Sequence, residues 1–458
     1  MSSLQQYLDL YREQQHLIEG GSCGPLNARR SAAAEFLSGA SLPTKRVERY
    51  KYTSAEEAFA PDYGLNLNRF SSLPQRGIQP CAVPQLTTIV MRVHNDVIMP
   101  ISDNLPKGVT ITSLVKASEI MPDVVERYYH AAAVQEPAHA HKHKDVTPRD
   151  TITQLNTLLV QDGIFVHLAP GVKCTQTLQI IFLAAADLDF MSNRRLLVVA
   201  EADSAIDILC CEHAEGQHRY LTTQVTEIFA QRGATVNLYT LEESGATNQR
   251  FANIYVEQQD DSRVTLNNIA LTTGLSRTMI NARLLGKGAD CQTTGAVISD
   301  AQQHVDNSVL VDHVAEGCTS DMLYKYVLDG ESECAFAGKV LVRPGAQHTD
   351  SHQTSANICL SPKAKVHTQP LLEIYADDVK CNHGATVGKL DETALLYLRQ
   401  RGIEEREARL LLQHAFINDV LQRVHLEPLR ERLSHLVEKR FRGQPTSCQT
   451  CSGCDCSC

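Results

Sequence analysis

Short runs rich in Val, Ile, Leu and Thr alternate with polar residues from about residue 155 to 375, and they recur at a nearly fixed interval. Candidate strands begin near Leu221, Thr235, Arg250, Arg263, Ser276, Cys291, Gln303, Cys318 and Glu331, a spacing of about 12 to 15 residues. Few folds tolerate such regularity. No helix fits between successive starts, so a parallel sheet built on helical crossovers is excluded. A sandwich or barrel would mark its hairpins with Asn-Gly or Asp-Gly pairs, and these are sparse here. What remains is a solenoid of short strands, each stacked on the strand one turn earlier, with inward Val, Ile and Leu forming a continuous core. The expected class is mainly β with α-helical ends.

Helical periodicity is confined to those ends. Leu4, Leu8 and Tyr11 share one face, and a second helix is expected around Asn27 to Leu37 with Asn27 as N-cap and Gly39 as stop. Pro43 closes the helical stretch, and residues 61 to about 145 are mixed and less regular. Helix returns at Asp391, a cap for a segment carrying Leu395, Leu396 and Leu398 that Gly402 ends. A longer helix carries Leu411, Ala415 and Ile417 to Val420, and a third carries Leu429, Leu433, Leu436 and Val437. The expected division is a helical and mixed region over 1–150, a solenoid core over 151–390, a helical domain over 391–442 and a Cys-rich tail over 443–458.

Composition narrows the partners. At 458 residues, with 43% hydrophobic and 21% charged residues, the chain can bury a substantial core. A formal net charge of -10 offers no basic field, which argues against nucleic acid or an anionic membrane as the main partner. The first residues lack the apolar run of a secretory signal, and runs such as Leu178 to Leu188 fall short of a bilayer span. A cytoplasmic protein is expected. Its 15 cysteines then read as thiols or metal ligands rather than a disulfide framework, with ten scattered and five crowded at the C-terminus.

Lys380-Cys381-Asn382-His383-Gly384 places a thiol and an imidazole two residues apart, so in an extended strand both point to one face. Iron and zinc accept both donors, and one strand supplying two ligands leaves positions for another segment or another chain. A nucleophilic Cys-His pair is the competing chemistry, although no oxyanion arrangement accompanies it. The plain structural alternative is a small buried cysteine and a hydrogen-bonded histidine before a turn. Residue types alone leave these open. In the tail, Cys448, Cys451, Cys454, Cys456 and Cys458 form CxxCxxCxCxC, enough thiolates for zinc or an exposed cluster, against the alternative of an unselected extension. His139, His141 and His143 would align in a strand, but Pro137 and neighbouring lysines favour a solvated loop. Cys174, Cys210, Cys211, Cys291, Cys318, Cys334 and Cys359 sit in the strand texture and read as core thiols.

The run from Leu371 to Glu392, with Glu373-Ile-Tyr-Ala-Asp-Asp-Val-Lys-Cys-Asn-His-Gly-Ala at its centre, and the following Tyr397-Leu-Arg-Gln-Arg-Gly, closely resembles the C-terminal signature of the SufD family. That family belongs to the SUF machinery for iron–sulfur cluster assembly. Leu42-Pro43, Arg46, Glu48 and Tyr50-Lys-Tyr-Thr resemble its N-terminal segment, with Tyr50 where the family usually has tryptophan. The sister SufB type has His-Glu-Ala where this chain has His383-Gly384-Ala385, so the likeness is to the D type. The resemblance implies a right-handed parallel β-helix between helical regions, and a scaffold rather than an enzyme. It implies pairing with a SufB-type subunit through the β-helix and with a SufC-type ABC ATPase through the C-terminal helices, and a transient iron–sulfur cluster shared with the partner. His383 matches the interface histidine thought to ligate iron or the cluster, with Cys381 beside it, the SufB-type partner supplying most other ligands.

ATP use would belong to the partner, since no GxxxxGK[ST] loop occurs in the chain. Self-pairing of two copies is left open. The alternative in another class is a metal-storage protein or metallochaperone that binds through the tail, from which the family pattern departs. A solenoid hydrolase or lyase has less behind it, because no acidic pair is marked out by spacing.

Overall fold

The computed structural model describes residues 2–69, 83–101, 104–134, 150–444 and 446. From Ile164 to Gly388 the chain winds through two parallel stacks of strands, a β-solenoid of about 8 turns. Sheet A holds Ile164–Leu168, Phe190–Ala200, Tyr220–Ala230, His304–His313, Glu333–Val342 and Lys365–Ile374. Sheet B holds Thr88–His94, Thr177–Ala185, Ala205–Glu215, Asp290–Ser299, Thr319–Leu328, Asp350–Cys359 and Lys380–Gly388. Asp290, Thr319, Asp350 and Lys380 stand in register, so a full turn takes about 30 residues and contains two strands. That is the physical origin of the interval seen in the sequence.

Arg250 and Ser276, expected to open strands of their own, lie instead inside Thr235–Gln258 and Arg263–Leu284, two long strands that run through both sheets. The passage between sheets is made by irregular backbone. Gly245 takes a φ of 82°, the register slips between Ala270 and Leu275, and a Cβ on Gly274 would stand 2.2 Å from the Ala246 carbonyl oxygen. Only glycine lets the two coils approach this closely.

Inward side chains of the two sheets interdigitate, with Val305, Val309 and Phe336 of sheet A meeting Cys291, Met322 and Tyr324 of sheet B. The alternating pattern predicts strands open to solvent on one face, yet Phe190–Ala200 and Tyr220–Ala230 are buried at every position. Helices cover the outer faces, as they do in other parallel sheets. Met191, Leu221 and Phe251 pack outward against Leu4, Tyr7 and Leu155 from the helices Ser3–Gly20 and Thr151–Leu159. On sheet B, Leu209, Leu241 and Ile298 receive Ile417, Leu433 and Leu436 from Glu405–Leu421 and Glu427–Phe441. Each buried leucine contributes about 1.5–3 kcal/mol, so these amphipathic helices dock on their own solenoid. Under the N-terminal helices Arg195 meets Glu227 at 2.8 Å, and Glu227 also accepts the backbone N–H groups of His130, Ala132 and Ala133.

Local chemistry sets the helix ends. Asp391 accepts from the backbone N–H groups of Thr393 and Ala394 and starts Glu392–Gln400, and Gly402 follows its end at a φ of 87°. Near the N-terminus Pro25 opens the helix Gly24–Ser38, so Asn27 is not its cap but lies in its first turn and donates to the Glu19 carbonyl. The stretch read as irregular contributes Val109–Ser113, which pairs antiparallel with Ile164–Leu168 and closes that end of sheet A. Among the described residues no helix is long and apolar enough to cross a membrane.

Candidate functional site

The other end of the solenoid is open. Lys380–Gly388 pairs on one side with Asp350–Cys359, and Lys365–Ile374 pairs on one side with Glu333–Val342. Neither gains a second ladder among the described residues, so each presents a free edge of backbone donors and acceptors. Leu371, Ile374, Tyr375 and Val387 are exposed on this last coil. Apolar side chains beside unpaired strand edges are the features of a surface that another chain covers.

Cys381 and His383 lie on this edge. Cys381 is in register with buried Ser351 and packs against the inner core, so it points into the lumen. His383, two residues on, points the same way but has no coil above it and is exposed. Its ring makes no hydrogen bond among the described residues. Burial, with Asp350 alongside, raises the Cys381 thiol above its ordinary value. A metal must therefore displace a proton there. A Cβ on Gly384 would meet nothing within 4 Å, so packing does not demand glycine beside His383. Among the described residues no group of three or more His, Cys, Asp or Glu side chains can hold a metal ion. A thiol and an exposed imidazole suit iron or zinc as two donors, and a complete shell needs donors from outside these residues.

The lumen below this edge is polar, a feature that sequence reasoning missed. Ser351, Gln353, Ser355 and Asn357 face inward and are buried, where the preceding coil has Ser320, Met322, Tyr324 and Tyr326 in register. Ser320 Oγ lies 2.8 Å from Ser351 Oγ and 2.9 Å from His313 Nε2, and Thr368 donates to Ser355 across the lumen at 3.0 Å. Both faces of Asp350–Cys359 carry polar residues, so alternation could not tell inward from outward.

The remaining candidates are placed as follows. Cys174, Cys210, Cys211, Cys291, Cys318 and Cys334 are buried free thiols, and burial pushes Cys334 up to about 12. They are packing groups. Cys359 is half-buried. The tail residues Cys448, Cys451, Cys454, Cys456 and Cys458, and likewise His139, His141 and His143, lie outside the described residues. A cleft of about 690 Å³ lies between the segment Lys45–Glu57 and His304. Its inner polar groups are already paired, Thr53 with His304 at 2.9 Å and with Asp306 at 2.6 Å.

Comparison with known proteins assigns the family. The family model for the SUF system FeS cluster assembly SufBD core domain matches residues 182–416, and that for the SufBD protein N-terminal region matches residues 1–180. An iron–sulfur cluster assembly SufBD family protein of Synechocystis is 27% identical over 443 residues, 93% of this chain and 94% of the relative. The iron–sulfur cluster assembly protein SufD of Bacillus subtilis is 24% identical over 373 residues, covering 78% and 79% of the two chains. SufD of Escherichia coli is 29% identical over 184 residues, 40% of this chain and 44% of the relative. With both family models matched in sequence order along a solenoid between helical regions, the chain belongs to the SufBD family of iron–sulfur cluster assembly proteins.

Proposed function

We propose that this chain is the D-type scaffold subunit of a cytoplasmic SUF assembly. It pairs with a SufB-type subunit through the open end of the solenoid, and a SufC-type ABC ATPase binds its C-terminal helical region. The observation that carries this reading is the free parallel edge that bears Cys381 and His383 among exposed apolar side chains. A nascent cluster is the cargo of the junction. His383, exposed and with no ring partner among the described residues, is its principal ligand from this chain, and Cys381 stands beside it. The partner completes the shell. ATP hydrolysis belongs to the SufC-type subunit, and the tail cysteines take metal in an accessory role.

The test is anaerobic co-purification from native cells, with iron and acid-labile sulfide assayed on the full chain, on His383→Ala and on a chain ending at Gln444. The proposal expects an ATPase and a sister solenoid subunit to come down together. It also expects cluster loss in His383→Ala with an unchanged melting temperature, and iron and sulfide that survive truncation. A chain that purifies alone, with metal that leaves with the tail, identifies a metallochaperone instead.

A further inference from the structure

The last strand sets His383 directly beside an unusual neighbour. Gln353 is in register with His383 on the adjoining strand and is 2% exposed. Neither its Nε2 nor its Oε1 has a hydrogen-bond partner among the described residues. An unmet buried amide is costly, and the preceding coil avoids that cost at the equivalent position, which holds buried Met322. The opposite wall is shaped for the amide. Gly338 faces it, and a Cβ there would stand 1.9 Å from Gln353 Nε2. A polar side chain with both ends unmet and space cleared for it therefore lies beside an imidazole that, among the described residues, also has no partner.

A histidine that ligates a metal through one ring nitrogen carries a proton on the other, and an acceptor for that proton fixes the tautomer and the ring orientation. Ser355 is already engaged by Thr368, and the unpartnered Oδ1 of Asn357 stands in register with Val387 rather than with His383. We propose that Gln353 is the positioning residue for His383: its side-chain carbonyl accepts the ring N–H, so that the other nitrogen is presented to iron at the open end of the solenoid. This inference rests on the reading of His383 as a ligand. It adds that the half-site is two coils deep, and that the polar lumen exists to orient its outermost donor.

Cobalt(II) serves as the probe, because thiolate and imidazole ligation give it visible ligand-field bands. The full chain, in complex with the SufB-type subunit that completes the shell, is titrated anaerobically with Cys448→Ser, Cys451→Ser, Cys454→Ser, Cys456→Ser and Cys458→Ser in every protein compared, which removes the tail as a competing site. Gln353→Leu should bind cobalt about 10- to 100-fold more weakly, the usual consequence of losing an outer partner of a ligating histidine. Its melting temperature should stay level or rise, since it removes an unmet amide. Gln353→Glu keeps an acceptor and should retain most of the affinity. A merely structural role for Gln353 would not produce that order. If Gln353→Leu binds like the parent while His383→Ala does not bind, the inference fails and the ligand reading survives. If His383→Ala also binds like the parent, or the parent binds no cobalt, both fail.

Discussion

His313 closes its strand with its ring wholly inside the solenoid, Nε2 at 2.9 Å from Ser320 Oγ and Nδ1 without a partner. Burial without a counter-charge pushes its pKa down from 6.5 to about 4. The folded chain therefore keeps this imidazole neutral at a pH where the unfolded chain protonates it. Between pH 6.5 and pH 4 the unfolded state binds more protons, so stability falls as the pH is lowered through that window and is fully present above it. A shift of this size corresponds to on the order of 3 kcal/mol at the acid end. His313→Asn should flatten the dependence, so that urea midpoints of the variant and the parent diverge below pH 6.5 in the variant's favour, relative to their difference at pH 8. Parallel pH profiles would show that the ring is hydrated or paired in solution.

The C-terminal helices show how an element finds its place. Leu429, Leu433, Leu436 and Val437 form one stripe of Glu427–Phe441, and all four are buried in the cluster outside sheet B. Leu433→Ala should cost about 2–5 kcal/mol, from lost burial plus the cavity left behind, read as a shift of the denaturation midpoint. Leu411, on the exposed side of the neighbouring helix, is 46% accessible, and Leu411→Ala should stay within about 0.5 kcal/mol of the parent. This stripe was legible in the sequence because its spacing and its burial have one cause, and so was the cap at Asp391. The starts at Thr235 and Arg263 were legible for the same reason, since inward apolar residues recur once per half-turn. Arg250 and Ser276 were misplaced because the chain changes sheet through a bulge without ceasing to be a strand, and local pattern carries no mark of that. Cys381 and His383 were singled out as candidates by donor chemistry together with the family resemblance of the strand that carries them. Gln353 was not, because only the register between coils brings it beside His383.

At the scale of the whole molecule a solenoid is a one-dimensional stack, in which each coil is held chiefly by its neighbours. Thr235–Gln258 and Arg263–Leu284 have a coil on either side and helices over their outer faces. One end of sheet A is closed by the antiparallel strand Val109–Ser113. Lys380–Gly388 has one neighbour, is exposed over most of its length, and leaves its outward backbone amides to solvent. Local opening then costs least at that end and most in the middle. Hydrogen exchange on the isolated chain should be fast in Lys380–Gly388 and Lys365–Ile374 and slowest in the two long strands. Equal protection along the stack would mean that the last coil is held by something other than its single neighbour. On the proposed pairing along this edge, added SufB-type subunit should slow exchange in the last two strands and leave the long strands unchanged. Protection that instead grows with the concentration of this chain alone would assign the edge to a second copy of itself, because only self-association makes an amide's exchange depend on its own protein's concentration.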